Sequence, residues 1–287
     1  VEFEEYFENR TLRVDYFHTG TSSQDIFSLD QVYVEGEWSG TRHQLVNDLN
    51  LGLYEAQVYD VATGELILNY GFNSIFGEWQ TTQEAIDGIH RTLHETVRCP
   101  LPKKEIRFSI AKRTRSNEFD ILWSTDISTS SRFVNREDKQ FPYRVKKFID
   151  HGPASENVDL LILGDGYRKQ DQKKFRQDVK RYTEVLFDSA PFDRLKDAFN
   201  VWTIEVISPD SGIDEPRSSI WKHNMLGSTF NSFDVERYVL SFDNATIRDI
   251  ASMVPYDAIY ILFNTPRYGG GGIYNTGTLN FSNTIVA

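Results

Sequence analysis

The sequence predicts an α+β chain, with an antiparallel β-sandwich over residues 1–150 and an α/β domain over residues 151–287. Three observations carry this. A length of 287 residues exceeds the roughly 100–200 typical of one domain. The first half consists of short alternating apolar runs separated by turn residues, with no long amphipathic helix. After Val158 the pattern changes to strand, helix, strand, as expected of a sheet covered on both faces.

In the first half, Thr11 to Phe17 alternates Leu12, Val14 and Tyr16 on one face. Tyr54 to Asp60 and Glu65 to Tyr70 flank the turn Ala62-Thr63-Gly64 as a hairpin. Glu105 to Ala111 and Phe119 to Trp123 bracket the polar run Lys112 to Glu118, a second hairpin. Phe141 to Pro153 reads as the connector. Beyond it, Val158 to Leu163 is apolar apart from Asp159 and reads as a buried strand. Asp171 then caps a helix whose stripe is Phe175, Val179, Tyr182, Val185 and Leu186. Pro191 to Ala198 gives a short second helix and Asn200 to Ile207 a second strand. Asn244 caps a helix ending near Met253, and Ala258 to Phe263 is the third strand.

Composition removes several functional classes. With 42 acidic and 31 basic side chains the net charge is −11, which repels a phosphate backbone, so nucleic acid is not an expected partner. No apolar stretch reaches the roughly 20 residues needed to cross a bilayer. The N-terminus lacks a signal pattern, although a start at Val1 is compatible with removal of a leader. A single cysteine, Cys99, excludes an internal disulfide framework and a cysteine-rich zinc module.

The run Tyr268-Gly269-Gly270-Gly271-Gly272 is the most unusual local feature. Glycine loses more backbone entropy on folding than any other residue, so such a run suits close approach to a phosphate, another strand or a peptide. Ile273 and Tyr274 follow it, where a phosphate loop needs lysine and a hydroxyl residue. Gly164-Asp165-Gly166, at the end of the first α/β strand, imitates a dinucleotide fingerprint, but its third glycine would fall at Lys169. A sharp turn with Asp165 accepting backbone hydrogen bonds is the simpler expectation, and a phosphate- or nucleotide-binding role for Asp165 the bolder one. His90 and His94 have the spacing of a zinc-binding H-E-x-x-H segment, yet the glutamate is misplaced at Glu95 and no third ligand lies nearby. Gly36-Glu37-Trp38-Ser39-Gly40 misses the G-x-S-x-G pattern by one position, and His18, His43, His151 and His223 show no partner spacing. The sequons at Asn9, Asn244 and Asn280 matter only in a glycosylating host.

Several ordered segments resemble the IgA-peptidase family of zinc metallopeptidases, found among secreted bacterial proteins. They are Leu160 to Tyr167, Pro191 to Pro216 and Pro255 to Asn275, with Glu95 to Arg98 and Pro100 to Lys104 resembling that family's leading domain. The resemblance implies a zincin-like domain that hydrolyses peptide bonds in protein or peptide substrates, uses zinc and works in an extracytoplasmic setting, secreted or at the cell surface. It also implies an H-E-x-x-H helix after the glycine-rich segment. The 287 residues contain no such motif, so no catalytic or metal-binding residue carries over, and the peptidase domain is expected to be incomplete at its C-terminus, with the motif beyond Ala287. Tyr268, Gly269, Gly270, Gly271 and Gly272 are then the expected substrate-binding rim, their bare backbone accessible to an extended peptide. The alternative is a non-catalytic module that binds protein or glycan on the same scaffold.

Overall fold

The structure is a computed structural model and describes residues 1–270 and 285–286. The chain forms two compact units, one spanning Val1–Asp138 and one running from Lys139 onward.

The first unit is almost entirely β. A short helix α1 (Phe3–Tyr6) leads into β1 (Phe7–Thr21), which pairs with β2 (Gln24–Glu35). The hairpin β3 (Tyr54–Asp60) and β4 (Leu66–Phe72) follows, then two short helices, α2 (Ile75–Trp79) and α3 (Gln83–Ile86). Next come β5 (Arg91–Pro102), the hairpin β6 (Ile106–Arg113) and β7 (Phe119–Ile127), and the two-residue β8 (Val134–Asn135). Two four-stranded sheets result, ordered β5-β1-β2-β8 and β4-β3-β6-β7. Pairing is antiparallel throughout except for β8, which runs parallel to β2. Side-chain alternation explains the core. Leu12, Val14 and Tyr16 of one sheet and Tyr54, Ala56, Val58, Phe108 and Ile110 of the other are fully buried in a single apolar cluster. Both predicted hairpins are present, and Asp60 closes the first by accepting from Ala62 N (2.8 Å) and Thr63 N (3.0 Å).

The predicted connector needs correction. Within it lies β9 (Arg144–Ile149), an edge strand antiparallel to β11 (Phe199–Glu205). Its alternating Arg144, Lys146 and Phe148 conceal a half-exposed strand whose polar face mimics a linker. The sheet of the second unit is ordered β15-β14-β10-β11-β9, with β10 (Val158–Asp165) central, parallel β11 and β14 (Ala258–Phe263) beside it, and β15 (Ile285–Val286) parallel to β14. Leu160 and Ile162 face α4 (Gln172–Phe187), packing with Phe175 and Val179. Leu161 and Leu163 face the other way and pack with Ile247, Ile250 and Ala251 of α5 (Asn244–Ala251). The continuous apolar run is therefore a strand covered on both faces. Between the helices lies the small pair β12 (Ser228–Thr229) and β13 (Leu240–Ser241).

Four helix details differ from expectation. Val185 is 62% exposed, and Thr183 takes the fourth buried position of the α4 stripe. The Asp171 side chain caps no α4 amide; it accepts from the Arg168 N–H and guanidinium. On α5 the cap is Asp243, whose carboxylate accepts from Thr246 N at 3.1 Å, while buried Asn244 accepts from Arg248 Nε. Pro191 to Ala198 forms two single 3-10 turns.

Candidate functional site at the carboxyl ends of the parallel strands

Open α/β sheets present ligands outside the carboxyl ends of their strands, where loops from neighbouring strands converge. Here β10 ends in Gly164-Asp165-Gly166, and three loops meet around it. Asp165 is fully buried. Its Oδ1 accepts from Gly166 N (2.9 Å), Ser208 Oγ (3.1 Å), Met225 N (3.0 Å) and Leu226 N (3.2 Å), and its Oδ2 from Ser228 N (3.2 Å). The carboxylate supplies the charge that these donors require, and so fastens the loop around 224–228 to the strand end. A group so enclosed is not available to a nucleotide, and the turn reading of Gly164-Asp165-Gly166 is the one the geometry supports.

Gly166 sits at φ +73, and a Cβ there would lie 2.5 Å from Gly212 O. The close approach is used. Gly212 N donates to Gly166 O at 3.0 Å, and Asn264 Nδ2 donates to the same oxygen at 3.0 Å and to Ser211 Oγ at 3.1 Å. Beneath this edge, burial first and then the hydrogen bond to Asp178 push the Tyr167 hydroxyl well above its ordinary pKa, so it stays protonated.

The described part of the glycine run packs against a neighbouring segment. A Cβ on Gly269 would lie 2.4 Å from Phe230 Cε1 and 2.6 Å from Arg237 O. Gly270 N donates to Arg237 O (3.0 Å) and Val239 N donates to Gly270 O (3.4 Å), a strand-like exchange that uses both backbone groups internally. Gly271 and Gly272 lie outside the described residues. Tyr268 is 81% exposed. Just before it, Arg267 covers the Phe230 ring and reaches Glu215 at 2.9 Å and Glu236 at 3.0 Å, joining three loops. The segment opposite is strained, with Asn231, Phe233 and Asp234 at φ 63, 51 and 61. Arg217 fixes it by donating to Asp234 O (2.8 Å) and Oδ1 (2.7 Å).

Of the other sequence candidates, His18, His90 and His94 belong to the first unit, and in the second only His223 reaches this edge, through its backbone. His94 lies on β5, where it meets Asp30 at 3.3 Å, and His90 just before that strand meets Gln24 at 2.8 Å. His18 is buried between two carboxylates, and His151 Nδ1–H donates to the Phe199 carbonyl at 2.8 Å. The His223 backbone N–H donates to Asp210 at 2.8 Å. Among the described residues no three His, Cys, Asp or Glu side chains are grouped to hold a metal ion. The carboxylates around the edge are engaged by the chain itself: Asp210 by His223 N, Asp214 by Lys222 N and Glu215 by Arg267. This donor set does not fit zinc, which takes three or four converging nitrogen, sulfur or oxygen ligands. No helix among the described residues is long and apolar enough to cross a membrane.

Sequence reasoning missed Ser208, the Met225–Ser228 backbone and the pair of carboxylates around Arg267. Their loops carry no periodicity, and backbone donors leave no residue signature. The one readable signal was the buried aspartate itself, placed between two glycines.

A family model described as "Peptidase M64 N-terminus" matches residues 2–124, and one described as "IgA Peptidase M64" matches residues 147–287. No curated protein matches the chain.

Proposed function

The chain belongs to the M64 family of IgA peptidases, a metallopeptidase family, and carries that family's N-terminal domain; we propose that it serves a zinc-dependent hydrolysis of peptide bonds in protein substrates. The observation that carries this is the ordered pair of matches, leading domain then peptidase domain, over residues 2–124 and 147–287. On this reading the first unit is a β-sandwich leading domain and the second the opening part of a zincin-like domain. The zinc ligands belong to an H-E-x-x-H segment following Ala287, since the donors described above do not fit the metal. Zinc, when bound, would polarise the scissile carbonyl and lower the pKa of its water.

The residues described here hold and orient. The Asp165 anchor, the Gly166–Gly212 contact and the Arg267 bridge fix the loops at the sheet edge, and Tyr268 stands on the rim where an extended substrate would pass. Preorganised loops lower the entropy cost of binding such a segment. Because Gly270 already spends its N–H and C=O on Arg237 and Val239, peptide contacts by the glycine run fall to Gly271 and Gly272. We also place the protein outside the cytoplasm, secreted or at the cell surface.

The test is made on the full-length protein. Cleavage of a protein substrate panel should be abolished by a zinc chelator and restored by added zinc, with one zinc per chain by metal analysis. A folded sample that holds no zinc and cleaves nothing would sink the reading and leave a non-catalytic protein- or glycan-binding module.

A further inference from the structure

The outer face of the β4-β3-β6-β7 sheet carries a feature that peptide hydrolysis does not use. Cross-strand register sets Tyr59, Arg107 and Asp126 in one row and Gln57, Ser109 and Ser124 in the next. The two serines are short and their neighbours are tall. A cleft of about 400 Å3 opens above them, walled by Tyr59, Val61, Arg107 and Ile121 with Ser109 and Ser124 as its floor. Sites for small molecules span about 300–1,000 Å3, so the cleft is sized for a small ligand.

Its chemistry narrows the ligand by elimination. Arg107 donates to Asp126 as a two-pronged fork, Nε to Oδ1 at 2.8 Å and Nη2 to Oδ2 at 3.1 Å. An anion therefore meets a guanidinium already neutralised, and a cation meets a carboxylate already neutralised. Asp60, at the rim, spends Oδ1 on Ala62 N and Thr63 N. A wholly apolar ligand would strip water from the fork and the serine hydroxyls and return no hydrogen bond. An extended peptide finds no ladder here either. The face of a sheet presents side chains, while the main-chain groups of β3 and β6 are paired in its plane with neighbouring strands.

What the cleft does match is a neutral ligand rich in hydroxyls. Ser109 and Ser124 share one hydrogen bond, at 2.8 Å, so one of their two protons stays available and both oxygens can accept. The fork sets donor beside acceptor. Arg107 Nη1 is left to donate among the described residues, and the Asp126 oxygens each retain a lone pair, a pairing that suits two adjacent hydroxyls. The walls add apolar surface. Val61 is 39% exposed and Ile121 52% exposed, and Tyr59 stands opposite with its hydroxyl held by Gln57 at 2.9 Å.

From this combination of a neutral fork, a hydroxyl floor and apolar walls, we propose that the cleft binds a neutral sugar, a hexose ring whose adjacent hydroxyls engage Arg107 and Asp126 and whose C–H face lies against the wall. The inference concerns the first unit alone and holds whether or not the full-length protein cleaves peptides. A sugar ring is polar at its rim and apolar on its faces, the same division that the cleft shows between floor and walls.

The test titrates the full chain with maltose, lactose and cellobiose, followed by calorimetry. Sodium glucuronate serves as the charged counterpart and glycerol as the open-chain polyol. At least one of the three disaccharides is expected to bind saturably, with Kd at or below about 1 mM, and glucuronate and glycerol at least about tenfold more weakly. Arg107→Lys keeps the charge and loses the fork, and should weaken sugar binding about tenfold, as for one charge-assisted hydrogen bond. Ser124→Leu should abolish binding by filling the floor. The thermal unfolding midpoint of each variant establishes that it is folded. The proposal is overturned if none of the three disaccharides binds, if glucuronate or glycerol binds as tightly as they do, or if binding survives either substitution unchanged.

Discussion

His18 offers the sharpest test of how the first unit is held together, because it carries a charge in a fully buried place. The imidazole lies between the rings of Phe27 and Phe76, at centroid distances of 4.1 and 3.7 Å. Nδ1 meets Glu95 at 3.2 Å and Nε2 meets Asp25 at 3.0 Å. Around this pair stand Lys112, 2.7 Å from Asp25, the Tyr54 hydroxyl at 2.9 Å, Ser74 on Glu95, and Tyr16 beside Glu95. Burial pushes the imidazole pKa down, but hydrogen bonds to Asp25 and Glu95 outweigh it and the pKa is raised above 6.5. On Asp25 burial acts upward, and the His18 and Lys112 hydrogen bonds outweigh it, holding the carboxyl well below its usual range. The imidazolium thus ties β1 to β2 and β5, and through Phe76 to α2. His18→Gln removes the charge and leaves two buried carboxylates short of a cation, a change that costs about 3–5 kcal/mol. The sign of the pH dependence follows from the raised pKa. The stabilisation is complete below the unfolded-state value near 6.5 and is lost as pH rises through the higher folded-state value. Urea unfolding of wild type and variant across a pH series, with hydrogen exchange of the α2 segment as the local probe, measures the difference. That difference should be largest on the acid side and shrink on alkalisation. A difference that is flat, or that grows with pH, refutes the charged clamp.

Three further outcomes follow from particular contacts. Asp165→Ala removes the acceptor of Leu226 N and of the Ser208 hydroxyl and one of two acceptors of Gly166 N, Met225 N and Ser228 N, at a cost of about 1–3 kcal/mol, the scale for a buried donor left unsatisfied. Calorimetric unfolding of the second unit checks it. Gly269→Val drives a Cβ to within 2.4 Å of Phe230 and 2.6 Å of Arg237 O. It should raise protease sensitivity in the 230–239 segment, while Tyr268→Ala, at an 81% exposed position, leaves the digestion pattern unchanged. Burial pushes the Cys99 thiol up to about 12, so at pH 8 it should resist a thiol-reactive disulfide reagent until the protein is unfolded.

What could be read in advance was what periodicity encodes. The hairpins 54–60/66–72 and 106–113/119–127 fell almost where alternation and turn residues placed them, because both strands of each hairpin bury one face and the turn chemistry is local. Val158 to Leu163 likewise declared itself by being apolar on both faces. β9 failed the same test because one face of Arg144–Ile149 is basic and half exposed, so its pattern matched a linker until β11 was seen beside it. Position 185 illustrates a different limit: a valine at helical spacing is exposed, and Thr183 is buried at its place with its hydroxyl satisfied by the Val179 carbonyl at 2.9 Å. Polarity alone mis-sorted the two, because a threonine whose hydroxyl bonds back to the helix can enter a core.

The carboxyl edge was legible only as a place. Two glycines around an aspartate at a strand end predict a turn with an acidic hydrogen-bond acceptor, and that turn is present. The partners, Met225, Leu226 and Ser228, act through backbone N–H groups some sixty residues away and leave no mark in the sequence. The glycine run divides along the same line. Its composition called for a close neighbour, and for Gly269 and Gly270 that neighbour is the chain itself, the Phe230 ring and the Arg237–Val239 backbone. Close packing accounts for glycine at 269, because any side chain there would collide with Phe230. It does not account for glycine at 271 and 272, which lie outside the described residues. Substituting alanine at each of the four positions in the full-length protein separates the two demands. Loss of stability should concentrate at 269, whereas a change in KM with kcat and unfolding preserved should concentrate at 271 and 272. Equal loss of stability at all four would assign the whole run to packing and remove it from the substrate rim.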